Sequence, residues 1–228
     1  MNKIALIIGN GKTTKYLLKI GFNNISKNID TFTTSLAYRF CEDINWWSTY
    51  YCFFDPKSVS YHQKNLEKFI NDKNNPVKKW FLYKNLEYPT NIKDKYKKVI
   101  YTKWQSSGNG ALTTALEMNQ YSKIILIGLD NDYTWNNKWV EKIDKISNRR
   151  KYIKDIENHP DYFYPNYIRK GDIVSWDSGR KITENEGRNI DLQNQIKNAI
   201  SKGIQILNFS KNGNININNL EKIITKNE

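Results

Sequence analysis

The feature that most constrains the fold is an uninterrupted apolar run, Ile124-Ile125-Leu126-Ile127, near the middle of the chain. A strand that is covered on both faces of a parallel sheet shows such a run, without alternating polar residues. Residues 111–118 precede it and place apolar side chains at a spacing of three to four, which is typical of a helix. Ser106, Ser107 or Asn109 can cap the start of this helix. We therefore predict an α/β fold that is Rossmann-like, with a mainly parallel sheet and helices on both faces.

Other apolar segments predict the remaining elements of a single α/β nucleotide-binding domain that spans residues 1–228. The first strand, residues 3–8, ends in Gly9-Asn10-Gly11 and precedes a helical pattern at 12–20. Neither a full dinucleotide fingerprint nor a P-loop follows, because Thr14 stands at the third glycine position and GKT has no upstream glycine at the required spacing. The other predicted strands are residues 30–40, 50–54, 77–83, 99–102, 123–128 and 204–209, and the other predicted helices are 59–70, 182–200 and one within 212–228.

Residues 134–190 contain many aromatic residues, charges and turn formers but little core periodicity. Long segments of this kind are usually functional, so we predict an aromatic-rich lid. His159 can titrate near neutral pH and is a candidate general base, although a surface turn at His159-Pro160 is the alternative. Tyr162, Tyr164 and Tyr167 are candidates for stacking on a substrate.

Polar residues follow several predicted strands or open the central helix. Ligands of open parallel sheets bind beyond the carboxyl ends of the strands, and a helix N-terminus offers N–H groups to an anion. The alternative is that strand ends are polar because loops are polar. The candidate nucleotide-binding residues are Gly9, Asn10, Gly11, Thr34, Ser35, Asp55, Ser106, Ser107, Gly108 and Asp130.

The acidic pair Asp130 and Asp132 leaves two interpretations open. The carboxylates could bind Mg²⁺ beside phosphates, or Asp130 could accept hydrogen bonds from backbone N–H groups of its own turn. No zinc motif occurs, and Cys41 and Cys52 are expected to be reduced, partly buried thiols. His62 lies on a predicted helix, where we expect a surface role.

The formal net charge of +13 comes from lysines that are spread along the chain. Because the lysines do not form one block, a general bias of the residue composition is the favoured explanation of the charge. The alternatives are an anionic ligand or peripheral contact with a membrane. No nucleic-acid-binding signature occurs, so specific binding of nucleic acid is not expected. No apolar run approaches the roughly 18 residues of a membrane span, and we expect a cytoplasmic protein, with membrane association and homo-oligomer formation left open.

Several short motifs follow one another along the first 133 residues. They are GNG after the first strand, Phe53-Phe54-Asp55-Pro56, and SSG followed by a helix and KIILIGLD-x-x-Y, which ends at Tyr133. Over residues 1–133 this order resembles the bacterial lipooligosaccharide sialyltransferases. It is also similar to the 6-hydroxymethylpterin pyrophosphokinase-like proteins.

The sialyltransferase resemblance implies an inverting, metal-independent transfer from a CMP-sugar to a glycan acceptor, in surface glycan synthesis and without a further cofactor. By the same resemblance Asn10 would contact the nucleotide phosphate, Ser107 and Gly108 would hold the nucleotide, and Tyr133 would help the phosphate leave. A lid histidine would act as base, and His159 is the candidate.

The chain departs from the family pattern at several positions. Lys12 and Thr13 follow GNG in place of PS, Thr34 or Ser35 replaces an asparagine, and Asp55 replaces another. Arg169 and Lys170 are candidates for supplying charge to the phosphate. The alternative functions are a pyrophosphokinase-like enzyme that uses ATP and Mg²⁺ through Asp130 and Asp132, and a non-catalytic nucleotide-binding protein.

Overall fold

The computed structural model describes residues 3–83, 96–99, 106–134, 137–143, 149–175, 181–210 and 216–225. The strands are β1 (Lys3–Ile8), β2 (Ile29–Thr34), β3 (Tyr50–Phe53), β4 (Lys79–Tyr83), β5 (Tyr96–Val99), β6 (Tyr121–Ile127), β7 (Val140–Lys142), β8 (Arg149–Tyr152), β9 (Ile173–Ser175) and β10 (Gln205–Asn208). Seven of them form one sheet in the order β10-β6-β1-β2-β3-β4-β5, and each neighbouring pair is parallel. The predicted Rossmann-like α/β fold is confirmed.

Helices cover both faces of this sheet. They are α1 (Lys15–Ile20), α2 (Tyr38–Asp43), α3 (Pro56–Asn71), α4 (Ser107–Glu117), α5 (Lys181–Ser201) and α6 (Ile217–Thr225). Short 3-10 turns lie at Lys12–Thr14, Phe22–Asn24, Ser35–Ala37 and Asn137–Trp139. The predicted helix at 12–20 therefore begins with a 3-10 turn.

The core has two layers because successive side chains of β1 point to opposite faces of the sheet. Ala5 and Ile7 belong to one layer, together with apolar residues of α4 and α5. Leu6 and Ile8 belong to the other, together with apolar residues of α1, α2, α3 and α6. Each fully buried leucine, isoleucine or phenylalanine contributes about 1.5–3 kcal/mol. The two layers explain why the central strands read as unbroken apolar runs.

The strand order reverses between β1 and β6. From β1 the chain builds the sheet outward through β2, β3, β4 and β5, and then returns to place β6 on the other side of β1. In sheets of this kind a crevice is expected beyond the carboxyl ends of the strands at the reversal point. Open parallel sheets generally bind ligands at such a reversal point.

The predicted strand at residues 30–40 is wrong in its second half. β2 ends at Thr34, and Ser35 adopts a left-handed conformation with φ of +54°. The chain then continues as a 3-10 turn and α2, whose Phe40 and Cys41 are buried in the core as helical residues. For the predicted strand at 99–102, β5 ends at Val99 and residues 100–102 lie outside the described part of the chain.

The described parts of the predicted lid contain more regular structure than the sequence suggested. β7, β8 and β9 form a three-stranded antiparallel sheet, in the order β7-β8-β9. Its strands are three or four residues long, and β7 and β8 contain lysine or arginine, so no apolar alternation indicates this sheet. The extent of the single domain, residues 1–228, stays a prediction. No helix in the described ranges has the length and apolar character to cross a membrane.

Candidate functional site

A cavity opens at the reversal point, beyond the carboxyl ends of β1 and β6. Twelve of the predicted site residues line it, from the first loop, the ends of β2 and β3, the start of α4 and the lid. They are Gly9, Asn10, Thr34, Ser35, Asp55, Ser106, Ser107, Gly108, Tyr133, His159, Tyr162 and Tyr167. Four others, Gly11, Asp130, Tyr164 and Arg169, are not among the lining residues.

The glycines let the loops after β1 and β6 approach each other closely. The Gly9 N–H donates to the Ile127 carbonyl over 2.8 Å, and the Gly11 N–H donates to the Gly128 carbonyl over 2.9 Å. A Cβ added to Gly9 would lie 2.2 Å from the Gly128 carbonyl oxygen, so no larger residue fits there. Gly11 thus belongs to the support beneath the cavity.

Asp130 fastens the same two loops. Its Oδ1 accepts a hydrogen bond from the Thr13 hydroxyl over 2.7 Å, and its Oδ2 accepts one from the Thr13 N–H over 3.1 Å. The Thr13 hydroxyl in turn accepts from the Gly128 N–H over 2.9 Å. The donors of these bonds belong to the first loop and not to the turn of Asp130, so the interpretation in which Asp130 accepts from its own turn stays a prediction. The magnesium alternative through Asp130 and Asp132 stays a prediction.

The start of α4 forms one wall of the cavity. Ser106 caps the helix, since its hydroxyl accepts from the Asn109 N–H over 3.1 Å. The first N–H groups of a helix have no partner within it, and those of Ser107 and Gly108 are at the cavity wall. A Cβ on Gly108 would lie 2.9 Å from Leu129 Cγ, so the glycine brings the helix start against the β6 loop.

Asn10 presents an acceptor to the cavity. Its Nδ2 donates to the Thr34 carbonyl over 2.9 Å, with the Thr34 hydroxyl 3.3 Å away, and this fixes the orientation of the amide. The Oδ1 is buried without a hydrogen-bond partner among the described residues. An amide oxygen needs a donor, such as a hydroxyl or amino group, and a phosphate diester has none. The expected contact of Asn10 with the nucleotide phosphate stays a prediction.

A cation and an aromatic ring face each other at the wall. The guanidinium carbon of Arg188, on α5, lies 4.9 Å from the centroid of the Tyr133 ring. Burial raises the pKa of the Tyr133 hydroxyl, which keeps it a donor at neutral pH. Arg188 was missed in the sequence because nothing local marks one basic residue of a charged helix. Among the described residues that line the cavity, Arg188 is the only lysine or arginine.

Asn109 fixes Arg188 in place. The Asn109 Nδ2 donates to the Arg188 carbonyl over 2.9 Å and to Asp191 Oδ2 over 2.7 Å. These two bonds join the first turn of α4 to α5. The helix N-terminus of α4 and the backbone of α5 at Arg188 are thus held together.

The lid is tied to the Rossmann-like part by hydrogen bonds. The Phe163 N–H donates to the Asn10 carbonyl over 3.2 Å, and the Tyr167 hydroxyl accepts from the Leu36 N–H over 3.1 Å. The rings of Tyr162 and Tyr167 stack with centroids 4.4 Å apart, and both line the cavity. The lid therefore supplies an aromatic wall.

Tyr164 and Arg169 lie away from this wall. Tyr164 donates from its hydroxyl to Asp43 Oδ2 over 3.1 Å and packs on Phe40, with ring centroids 5.7 Å apart. Arg169 and Lys170 are exposed at the surface. Neither is among the residues that line the cavity, whereas Arg188 is, and the expected supply of charge to a phosphate by Arg169 and Lys170 stays a prediction.

A buried ion pair anchors the lid from below. Arg39 of α2 donates two hydrogen bonds to the Asp172 carboxylate, over 2.6 and 2.8 Å, and a third to the Tyr167 carbonyl over 2.6 Å. His62 Nε2 lies 3.7 Å from Asp172 Oδ1, and its Nδ1 lies 3.0 Å from the Tyr38 hydroxyl. Burial lowers the pKa of His62 to about 4. The expected surface role of His62 is wrong, because the partner that buries it is 110 positions away in sequence.

His159 is buried in the lid, in a cage of aromatic rings. Its Nδ1 accepts from the Asp161 N–H over 3.1 Å, and its Nε2 lies 3.3 Å from the Tyr152 hydroxyl. Trp139 and Tyr162 pack against the ring, with centroid distances of 5.2 and 4.8 Å. Burial, and then the charge of Lys12, lower its pKa to about 4. His159 as a surface turn is therefore wrong, whereas its role as base stays a prediction.

Asp161 is a second titratable group of the lid at the cavity. Its carboxylate is buried, and both of its oxygens lie 3.0 Å from the Thr134 N–H, which they share. Burial raises the pKa of this carboxyl, against the opposing effects of the Thr134 hydrogen bonds and of Lys12. The sequence analysis did not single out Asp161. The sequence signal that could have identified Asp161 is its position two residues after His159, with Pro160 between them.

Both cysteines are free and buried, as expected of reduced thiols. Burial raises the pKa of the Cys41 and Cys52 thiols, so neither is a nucleophile at neutral pH. Within the described ranges, no group of three or more His, Cys, Asp or Glu side chains could hold a metal ion.

No protein-family model, no curated protein and no solved structure matches this chain. The chemistry of the site must therefore be inferred from its own residues. The cavity combines an anion-binding helix start, a guanidinium, an amide oxygen acceptor and an aromatic wall that carries a carboxylate. This arrangement can hold a phosphate ester at one side and accept a proton at the other.

Proposed function

We propose that the chain is a glycosyltransferase that takes its sugar from a nucleotide-activated donor of the CMP-sugar type and attaches it to a glycan. The observation that carries the proposal is the meeting of α4's first turn, Arg188 and Tyr133 at the reversal point of a parallel sheet. The order of short motifs over residues 1–133, which resembles the sialyltransferases, supports the same donor.

The charge of the wall suits a donor with one phosphate. A helix N-terminus such as the start of α4 offers N–H groups to an anion, and the guanidinium of Arg188 attracts one. His62 and His159 add no positive charge near neutral pH, because burial lowers both pKa values to about 4. One guanidinium and one helix terminus match a single phosphate diester better than a diphosphate.

The departing nucleotide needs its new charge stabilised. When the bond from the anomeric carbon to the phosphate oxygen breaks, the electron pair stays on the phosphate, which gains a charge. Donors that are already positioned for this charge lower the barrier without reorganising. Arg188 and the Tyr133 hydroxyl are the side chains assigned to this role, together with the α4 N–H groups.

The remaining contacts would orient the rest of the donor. The unpartnered Oδ1 of Asn10 accepts from a hydroxyl or amino group, which a ribose or a cytosine base supplies. The rings of Tyr162 and Tyr167 offer apolar faces to a sugar or a base.

The test is turnover with a panel of donors. The purified chain is incubated with CMP-, UDP- and GDP-activated sugars and a mixed oligosaccharide acceptor, and the released nucleotide is measured. We expect release of CMP that exceeds the release of UDP and GDP and that depends on the acceptor. Turnover of none of these donors, together with Mg²⁺-dependent consumption of ATP, would support the pyrophosphokinase-like alternative instead.

A further inference from the structure

The transfer reaction requires a group that removes the proton of the acceptor hydroxyl. A general base needs a lone pair that can reach the substrate, and a protonated form that its surroundings tolerate. Three lid side chains at the cavity can titrate as bases: His159, Asp161 and Asp172. Both oxygens of Asp172 already accept hydrogen bonds from Arg39, and the contacts of the other two distinguish them.

The lone pair of His159 is already in use. Because Nδ1 accepts the Asp161 N–H, the neutral ring carries its proton on Nε2, and this N–H points to the Tyr152 hydroxyl. Accepting a further proton would break the Asp161 bond and place a cation inside a ring cage. Neither nitrogen therefore offers a lone pair to a substrate hydroxyl.

The Asp161 carboxylate has acceptor capacity left. A carboxylate has about four lone-pair positions, and the Thr134 N–H, which its two oxygens share, and the Thr134 side chain use part of them. The same N–H holds the carboxylate in a fixed orientation at the cavity wall. The bond from the Asp161 N–H to His159 fixes the backbone from the other side.

We propose that Asp161 is the proton acceptor of this transferase and that His159 is a positioning residue that holds Asp161. The inference rests on the proposed function. In the step, the acceptor O–H bond breaks and its proton moves to an Asp161 oxygen, while the acceptor oxygen forms a bond to the anomeric carbon. The bond from that carbon to the phosphate oxygen breaks, and its electron pair leaves with the nucleoside monophosphate.

The surroundings of Asp161 suit the role. Burial raises the pKa of the carboxyl, which brings it toward the working pH and makes the carboxylate a better base. The titratable and charged groups that act on it are His159, Lys12, Asp132, Tyr133, Tyr152 and Tyr162. Of these, Lys12 opposes the shift and Asp132 adds to it. We expect the acidic limb of the pH profile to lie above the ordinary range of an aspartate.

Asp161→Asn is the direct variant, because an amide oxygen still accepts the Thr134 N–H. We expect it to bind CMP within about threefold of the wild type and to lose about 10²- to 10⁴-fold in turnover. Asp155→Asn is the control, since Asp155 is an exposed lid carboxylate that accepts the Lys170 N–H, and turnover should be unchanged. His159→Gln should keep the acidic limb at its wild-type position, because it does not remove the titrating group.

Rescue of the Asp161→Ala variant by formate distinguishes a proton acceptor from a residue with a structural role. Added formate can occupy the vacated site and accept the proton, so we expect formate to restore part of the turnover at unchanged CMP binding. The inference is overturned if Asp161→Asn keeps more than a tenth of wild-type turnover. It is also overturned if formate does not rescue Asp161→Ala while His159→Gln loses the acidic limb. A wild-type chain that turns over no nucleotide sugar would instead overturn the proposed function itself.

Discussion

Arg188 lies with its guanidinium carbon 4.9 Å from the centroid of the Tyr133 ring, although 55 residues separate the two in sequence. The contact joins the loop after β6 to α5, and Asn109 of α4 holds the Arg188 carbonyl over 2.9 Å. Stacking on a ring limits the freedom of a long side chain, so less entropy is lost when it binds an anion. This geometry is consistent with the proposed role of the pair in binding an anion.

The first prediction concerns the charge of this site. Arg188→Met should weaken CMP binding about 10- to 150-fold, because a hydrogen bond to a charged group contributes about 1.5–3 kcal/mol. Lys197→Met is the matched control, since Lys197 is exposed on the same helix and should leave binding within about twofold. Isothermal titration calorimetry measures both. Equal losses in the two variants would show that only the net charge of the chain matters.

The second prediction concerns the approach of α4 to the β6 loop. Gly108→Ala places a Cβ 2.9 Å from Leu129 Cγ, so the first turn of the helix must move by a few tenths of an ångström. We expect CMP binding to weaken by about tenfold, because the proposed function assigns the N–H groups of that turn to the phosphate. Leu129→Ala in the same chain removes the clash and should recover binding relative to Leu129→Ala alone. A Gly108→Ala chain that binds normally would contradict the assigned role of the α4 start.

The third prediction concerns the ion pair that anchors the lid. Arg39→Met leaves the Asp172 carboxylate buried without its cation, and should lower the free energy of unfolding by about 3–5 kcal/mol. Arg39→Met combined with Asp172→Asn should recover part of this loss, because the buried group is then neutral. Urea unfolding measures both variants.

The control for the ion pair is at the surface. Lys68 and Glu42 are 3.4 Å apart with exposed side chains, so Lys68→Met should change stability by less than about 1 kcal/mol. If Arg39→Met costs no more than Lys68→Met, the lid is not held by this pair.

The fourth prediction concerns pH. Burial lowers the pKa of His62 and of His159 to about 4, below the value of 6.5 in an unfolded chain. The unfolded state therefore binds more protons between these values. The stability that each neutral histidine contributes is present above pH 6.5 and is lost as pH falls toward 4.

Each histidine should account for about 2 kcal/mol of stability lost between pH 7 and pH 5. The raised pKa of Asp161 acts in the opposite direction, so the comparison with a variant is more informative than the total. His159→Gln should reduce the loss over this interval by about the same amount, as measured by urea unfolding at several pH values. Parallel curves for wild type and variant would contradict the buried, neutral state of His159.

The sheet was predictable where one stretch of sequence determines an element. β1, β3 and β6 coincide with apolar runs of the sequence, and Ser106 caps α4 as its sequence position indicates. Prediction was wrong where a single backbone angle decides the outcome. Ser35 has φ of +54°, and this turns an apolar segment that resembles a strand into a helix.

The site was predictable as a set of strand ends but not as a set of contacts. The topology brings Gly9, Ser107 and Tyr133 to one cavity, and the sequence order indicates this. Arg188 and Asp161 were missed because their neighbours in space are distant in sequence or lie in an irregular segment. His62 was assigned to the surface for the same reason, since Asp172 arrives from the lid.

The central claim, that the cavity binds the nucleotide of a CMP-sugar, is tested most directly by calorimetric titration of CMP in EDTA. ATP with and without Mg²⁺ is titrated in parallel. We predict that CMP binds at one site per chain, that EDTA does not remove this binding, and that Arg188→Met weakens it. No CMP binding, with Mg²⁺-dependent binding of ATP, would contradict the account.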